Sequence, residues 1–168
     1  MKFEKATYYI MQYRTYPEIG GVLVRHPVEG YIPSEYPNIA IRKRDDLWYI
    51  DHIAMGLAVD TTGYRTRAVA LDVYIRSHAD VVRMVEADRK HYRQTVERLQ
   101  SLPLEEEVQK WEIMNYHSDH DHRFFKVRDA AVRAGLLVRK ADRISYLQGG
   151  NIDIIGDPEK LAEIRKLM

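Results

Sequence analysis

A chain of 168 residues with 26 basic and 25 acidic side chains and no cysteine is long enough for one ordinary domain, or for two small units, without covalent staples. The net charge of +1 argues against a surface that is wholly an electrostatic glove for nucleic acid. Lack of cysteine removes disulfides, thiol nucleophiles and thiolate metal sites together, which fits a reducing cytoplasm. No run approaches the ~20 apolar residues of a membrane span, and "MKFEKATYYIMQYR" has no signal-peptide core, so no membrane role is expected.

The first predicted element is "KATYYIMQY" (5–13), whose β-branched and aromatic residues suit a pleated surface. Residues 14–37, "RTYPEIGGVLVRHPVEGYIPSEYP", hold four of the six prolines and read as a loop-rich region with one short strand inside. "NIAIRK" (38–43) and "LWYIDHIAMGLAV" (47–59) flank "RDD", which suits a hairpin turn, and "DTTG" (60–63) is a second turn signal. "YRTRAVALDVYIR" (64–76) alternates Val69, Leu71, Val73 and Ile75 with Ala70, Asp72, Tyr74 and Arg76, a period of two that predicts a strand. "SHAD" resembles a capping-box start, and Val81, Val85, Tyr92, Val96 and Leu99 recur at helical spacing, which predicts one long helix over 78–101.

"SLPLEEE" ends that helix at Pro103, and 102–107 is the expected linker. Beyond it, "VQKWEIMNY" (108–116) reads as a strand, "RFFKVRDAAVRAG" (123–135) as a helix closed by Gly135, and 136–148 and 151–157 as strands about Gly149-Gly150. The last helix starts at Pro158 behind an Asp157 N-cap. The expected fold class is therefore α+β. It comprises an N-terminal antiparallel β-meander packed on a long helix (1–101), then a smaller β-α-β-β-α, partly ferredoxin-like unit (108–168).

"HSDHDH" (117–122) carries the main chemical candidate. Imidazole and carboxylate are the ligands for zinc, manganese or iron where thiolate is absent, and a turn of this length lets His117, Asp119 and Asp121 converge while His122 opens the helix, which makes these four the candidate ligands. The string resembles the H-x-D-x-D-H variant of the metallo-β-lactamase-fold motif over these six residues. That resemblance implies a metal-dependent hydrolase, but Arg123-Phe124-Phe125 follow where small residues are expected, and no His occurs after His122. Completion of a site would fall to His26, His52, His78 or His91 upstream. The plainer reading is a hydrated turn whose aspartates cap the next helix.

Two further surfaces are candidates. Tyr16, Tyr31 and Tyr36, beside Pro17, Pro33 and Pro37, suit a loop that docks a protein or another subunit; tyrosine, present twelve times, is enriched at interfaces. Arg83, Arg89, Lys90 and Arg93 on the long helix, with Arg139, Lys140, Arg143 and Tyr146 on a later strand, form the weaker nucleic-acid alternative. Phosphate-binding and nucleophile-elbow motifs are absent. The expected function is a small, cytoplasmic, non-catalytic binding or regulatory protein acting through protein contacts, of the sort that serves mobile elements as accessory or inhibitor. Self-association is expected and no cofactor. The alternatives are a phosphoester hydrolase using a divalent metal at the His117–His122 cluster, and a nucleic-acid or nucleotide binder.

Overall fold

The computed structural model describes residues 1–118, 123–140 and 150–168. The chain is α+β and divides into two compact units, one formed by residues 1–13 and 23–103, the other by 14–22 and 104–168.

A five-stranded antiparallel meander runs in sequential order, β1 (Phe3–Tyr16), β2 (Gly20–Pro33), β3 (Ile39–Arg44), β4 (Leu47–His52) and β5 (Leu57–Ala58), and belongs to the first unit except for residues 14–22 at the β1–β2 turn, which belong to the second. β3 and β4 are joined by a hairpin turn at the expected place, though of two residues because Arg44 stays in β3; Asp45 and Asp46 take left-handed φ values of 49° and 67°. Short acidic or amide residues tolerate that conformation, and its twist matches the flanking strands. The sheet curls on itself. Met11 N–H of β1 donates to Gly56 O at 2.8 Å, and Gly56 has φ +65° with the Leu99 side chain 2.7 Å from where a Cβ would sit. Only glycine fits a turn with that backbone and that neighbour.

Residues 14–37 are not loop-rich, as the prolines suggested. Apart from a tight turn and residues 34–37, they belong to the two long strands of a hairpin. Among the described residues β2 pairs with β3 at Tyr31 and Ile41 alone, so Pro27 sits where β2 has no ladder bond to β3 to lose. Proline is tolerated in a strand under that condition.

The predicted strand at 64–76 is instead helical. α1 (Arg67–Val73) begins at Thr66, whose Oγ1 accepts from Val69 N–H at 3.1 Å, and runs into a π-helical turn, Tyr74–His78. Ala70, Leu71 and Tyr74 are buried at helical spacing while Val69 and Ile75 face solvent, so the apparent period of two was not a sheet face. The single long helix predicted over 78–101 is two helices, α2 (Ala79–Ala87) and α3 (Arg89–Ser101), parted at Asp88, whose ψ of 76° leaves the helical region. "SHAD" does not cap α2, since His78 makes no capping hydrogen bond. The core of this unit sets Ile39, Ile41 and Ile50 of the sheet against Ala70, Leu71, Tyr74, Ala79 and Val82 of the helices. Each fully buried isoleucine contributes about 1.5–3 kcal/mol of hydrophobic stabilisation.

In the second unit the expected linker contains a helical turn, α4 (Glu105–Val108). Its three glutamates lie in the first turn, where the helix dipole favours them, and Val108 is buried. The strand predicted to begin at 108 therefore begins later, as β6 (Glu112–Ser118). α5 (Arg123–Arg133), β7 (Leu137–Lys140), β8 (Gly150–Gly156) and α6 (Pro158–Arg165) complete a β-α-β-β-α order. The three strands are antiparallel in the order β6-β8-β7. Their helix-facing side places Met114, Tyr116, Ile152 and Ile154 on Val127, Ala131, Leu161 and Ile164. Asp157 caps α6 as expected, its Oδ1 accepting from Glu159 N–H at 2.9 Å. On the other side of the sheet, Arg139 donates to the carbonyls of Ile19, at 2.8 Å, and Gly21, which ties down the β1–β2 turn. Among the described residues no helix is long and apolar enough to cross a membrane.

Candidate functional site

His52 closes β4 and is almost wholly buried. Its Nδ1 accepts from Met55 N–H at 3.2 Å, so the ring proton is on Nε2 and points to Glu86 Oε1 at 2.7 Å. Asn38 Nδ2 donates to the same carboxylate oxygen at 2.8 Å. Burial pushes the Glu86 carboxyl up, yet the hydrogen bonds from Asn38 and His52 outweigh it and leave its pKa below the ordinary value. Both nitrogens of His52 are thus engaged, and Tyr92 of α3 lies edge-on to the ring at 5.8 Å. This histidine pins α2 to the sheet and has no lone pair left for proton transfer.

A second imidazole is held differently. Asp60 Oδ1 accepts from Thr62 N–H at 3.0 Å, and its Oδ2 accepts from the Tyr64 hydroxyl at 2.6 Å and lies 2.7 Å from His78 Nε2. Burial, the hydrogen bond to Asp60 and that carboxylate's charge push the Tyr64 phenol up to about 12. His78 ends the π-helical turn, a feature that recurs at functional sites. With Nε2 turned to Asp60, Nδ1 is the nitrogen left to meet a ligand.

Between these two histidines lies a hollow of about 180 Å³, walled by Met55, Leu57, Val59, Val81, Val82 and Val85. Its rim is apolar and open. Of its lining, Val81 is 56% exposed, Val85 42% and Leu57 42%, and beside them on α2 Met84 is 72% exposed. Val81, Met84 and Val85 stand at i, i+3 and i+4 of α2, one continuous stripe. The periodicity of Val81 and Val85 reads as a core face in the sequence, but the buried side of α2 is Ala79 and Val82.

A cation–aromatic cluster sits elsewhere on the same unit. The Arg67 guanidinium lies 4.2 Å from the Phe3 ring centroid, 4.5 Å from that of Tyr31 and 5.9 Å from that of Trp48. Nearby, the buried Asp51 carboxylate accepts from Tyr8 at 2.6 Å and from Arg42 Nε at 2.8 Å.

Where the structure describes them, the residues singled out from the sequence lie on separate elements. His117 is at the exposed end of β6, whereas Asp119, Asp121 and His122 lie outside the described residues. Among the described residues no group of three or more His, Asp or Glu is placed to hold a metal. Tyr16 ends β1, Tyr31 stacks in the Arg67 cluster, and Tyr36 meets Tyr74 edge-on at 5.4 Å. Arg83 pairs with Asp80 and Arg93 with Glu97, while Arg89 and Lys90 are exposed. Arg139 is committed to backbone carbonyls and Lys140 is exposed; Arg143 and Tyr146 lie outside the described residues. The one signal in the sequence for the hollow was a set of apolar residues on α2 in excess of what Ala79 and Val82 already bury.

Comparison with models of known protein families, with curated proteins and with solved structures finds no match to this chain.

Proposed function

We propose that the chain is a cytoplasmic, non-catalytic binding protein that acts by seating an apolar side chain of a protein partner in the hollow between β5 and α2. The observation that carries this reading is the solvent-facing stripe of Val81, Met84 and Val85 on α2, of which Val81 and Val85 also line a cavity whose other walls are largely apolar. Leaving such side chains in water forgoes roughly 1.5–3 kcal/mol each, and contiguous apolar patches on soluble proteins mark interaction sites. The size fits one anchor residue better than a substrate, and tight interfaces concentrate their energy in such an anchor surrounded by a rim that excludes water. His78 adds direction: its Nδ1 favours a partner segment that brings a hydrogen-bond donor beside the anchor. Two features weigh against catalysis here. His52 is saturated, and among the described residues no hydroxyl nucleophile is hydrogen-bonded to His78.

The test uses the full chain with a photo-crosslinking amino acid at Met84, expressed in its native host. A single dominant adduct that disappears when Val81→Glu is added, with the circular dichroism and melting temperature of the double variant unchanged, supports the reading. No adduct, or one indifferent to Val81→Glu, overturns it.

A further inference from the structure

We infer that β6 is a self-pairing edge, through which two copies of the chain join their three-stranded sheets into one six-stranded antiparallel sheet. β6 is the terminal strand in the order β6-β8-β7, with β8 on one side and no strand among the described residues on the other. Over Glu112–Ser118 it pairs with β8 without interruption at all seven positions, so it carries no bulge that would twist its far edge away. Nor does it contain proline, glycine or lysine. Those are the devices by which natural sheets protect a free edge, and a seven-residue strand without them is a template for another strand.

A second copy is the occupant that the residues favour. A two-fold axis through Asn115 is the only antiparallel register that uses every residue of the strand. It sets Glu112 opposite Ser118, Ile113 opposite His117, Met114 opposite Tyr116, and Asn115 opposite its own mate. No like charges face each other in that register, which is a requirement of cross-strand pairing. Met114 and Tyr116 lie on the helix-facing side of the sheet, so each apolar side chain meets an apolar one and the two cores become continuous along the new sheet. On the opposite side, Ile113 is the exposed apolar residue of the strand and gains the partner's His117 as neighbour. Asn115 Nδ2 is already aimed back across its own sheet at Asn151 Oδ1, 2.7 Å away, and Asp153 Oδ1, 3.0 Å away. The Cβ at the axis is therefore left without a bulky group over the edge. A contact of seven residues on each side belongs with the small, reversible interfaces rather than the obligate ones.

The natural absence of cysteine makes the register directly testable. On the axis, the Cβ atoms of Asn115 and its mate are about 4.5–5.5 Å apart, within reach of a disulfide. Those of Ile113 and its mate are four residues out of step, about 13 Å apart. Under mild oxidation Asn115→Cys should give a crosslinked dimer, Ile113→Cys alone should stay a monomer, and an equimolar mixture of Ile113→Cys and His117→Cys should give a mixed dimer. Sedimentation of the unmodified chain should show concentration-dependent dimerisation that Asn115→Lys abolishes, by placing two ammonium groups face to face. A chain that sediments as a monomer at every concentration overturns the inference. Equal crosslinking of Ile113→Cys and Asn115→Cys overturns the register, and with it the sheet-to-sheet pairing.

Discussion

The Tyr8 hydroxyl of β1 donates to Asp51 Oδ2 of β4 at 2.6 Å, across 43 residues of sequence. Arg42 Nε, on β3, donates to the same oxygen at 2.8 Å. Three strands are thus tied through one carboxylate that solvent barely reaches. Burial raises the Tyr8 phenol far above its ordinary pKa, aided by the adjacent negative charge, so it remains a donor at any pH the fold survives. Asp51→Ala strands a guanidinium and a phenol together and should cost about 3–5 kcal/mol, the range for one partner lost from a buried ion pair. Tyr8→Phe leaves Arg42 in place and should cost only about 1 kcal/mol. Urea unfolding of the two variants checks both the size and the order.

Glu86 supplies a pH dependence whose sign is fixed by its environment. Its folded pKa is below the ordinary glutamate value, so the carboxylate form is favoured by folding. The stability it contributes is fully present above that ordinary value and fades as pH falls through the lowered one. Unfolding free energies of the unmodified chain and of Glu86→Gln should therefore differ at neutral pH and converge in acid. A gap that widens as the pH drops would contradict the hydrogen bonds from Asn38 and His52.

Arg67 is clamped by rings rather than by acids. Arg67→Ala should destabilise the chain by about 1–2 kcal/mol, with Arg67→Lys recovering only part, since a planar guanidinium stacks on aromatic faces and an ammonium does not. The emission of Trp48, measured in a Trp111→Phe background, should shift in both.

Met84→Glu and Val81→Glu should leave thermal stability within about 0.5 kcal/mol of the parent, because both side chains are exposed. Differential scanning calorimetry decides this. A large loss would mean that the stripe is packed inside the molecule, contrary to the docking surface proposed for it.

What could be read from the sequence was local. The turn at Asp45-Asp46, the α6 cap at Asp157, the helix end at Gly135 and the β3–β4 hairpin all follow from residues a few positions apart. The β1–β2 hairpin was hidden because Pro27 breaks a strand only where its missing N–H would have been paired, and because Gly30 marks a close approach rather than a turn, with the Tyr8 ring 3.0 Å from where a Cβ would sit. α1 was hidden because alternating apolar residues carry a period of two whether or not a sheet uses it, and the decisive cue was the Thr66 cap. The hollow at α2 was beyond reach for a different reason. Which side of an apolar helix is covered depends on the partners that Ala79 and Val82 find in the sheet, Ile39, Ile41 and Ile50, and those lie 29 to 43 residues away. The aspartates of the "HSDHDH" cluster, and His122, fall outside the described residues and keep only the reading made of them from sequence.

The π-helical turn at Tyr74–His78 has a geometric effect on everything after it. A turn that closes on the fifth residue instead of the fourth, as Ala79 N–H does on Tyr74 O, holds one amino acid more than an α-helical turn. Each α-helical residue advances the helix by about 100°. A single codon's worth of chain therefore sets the phase of α2, deciding whether valine and methionine look toward the isoleucines of the sheet or toward water.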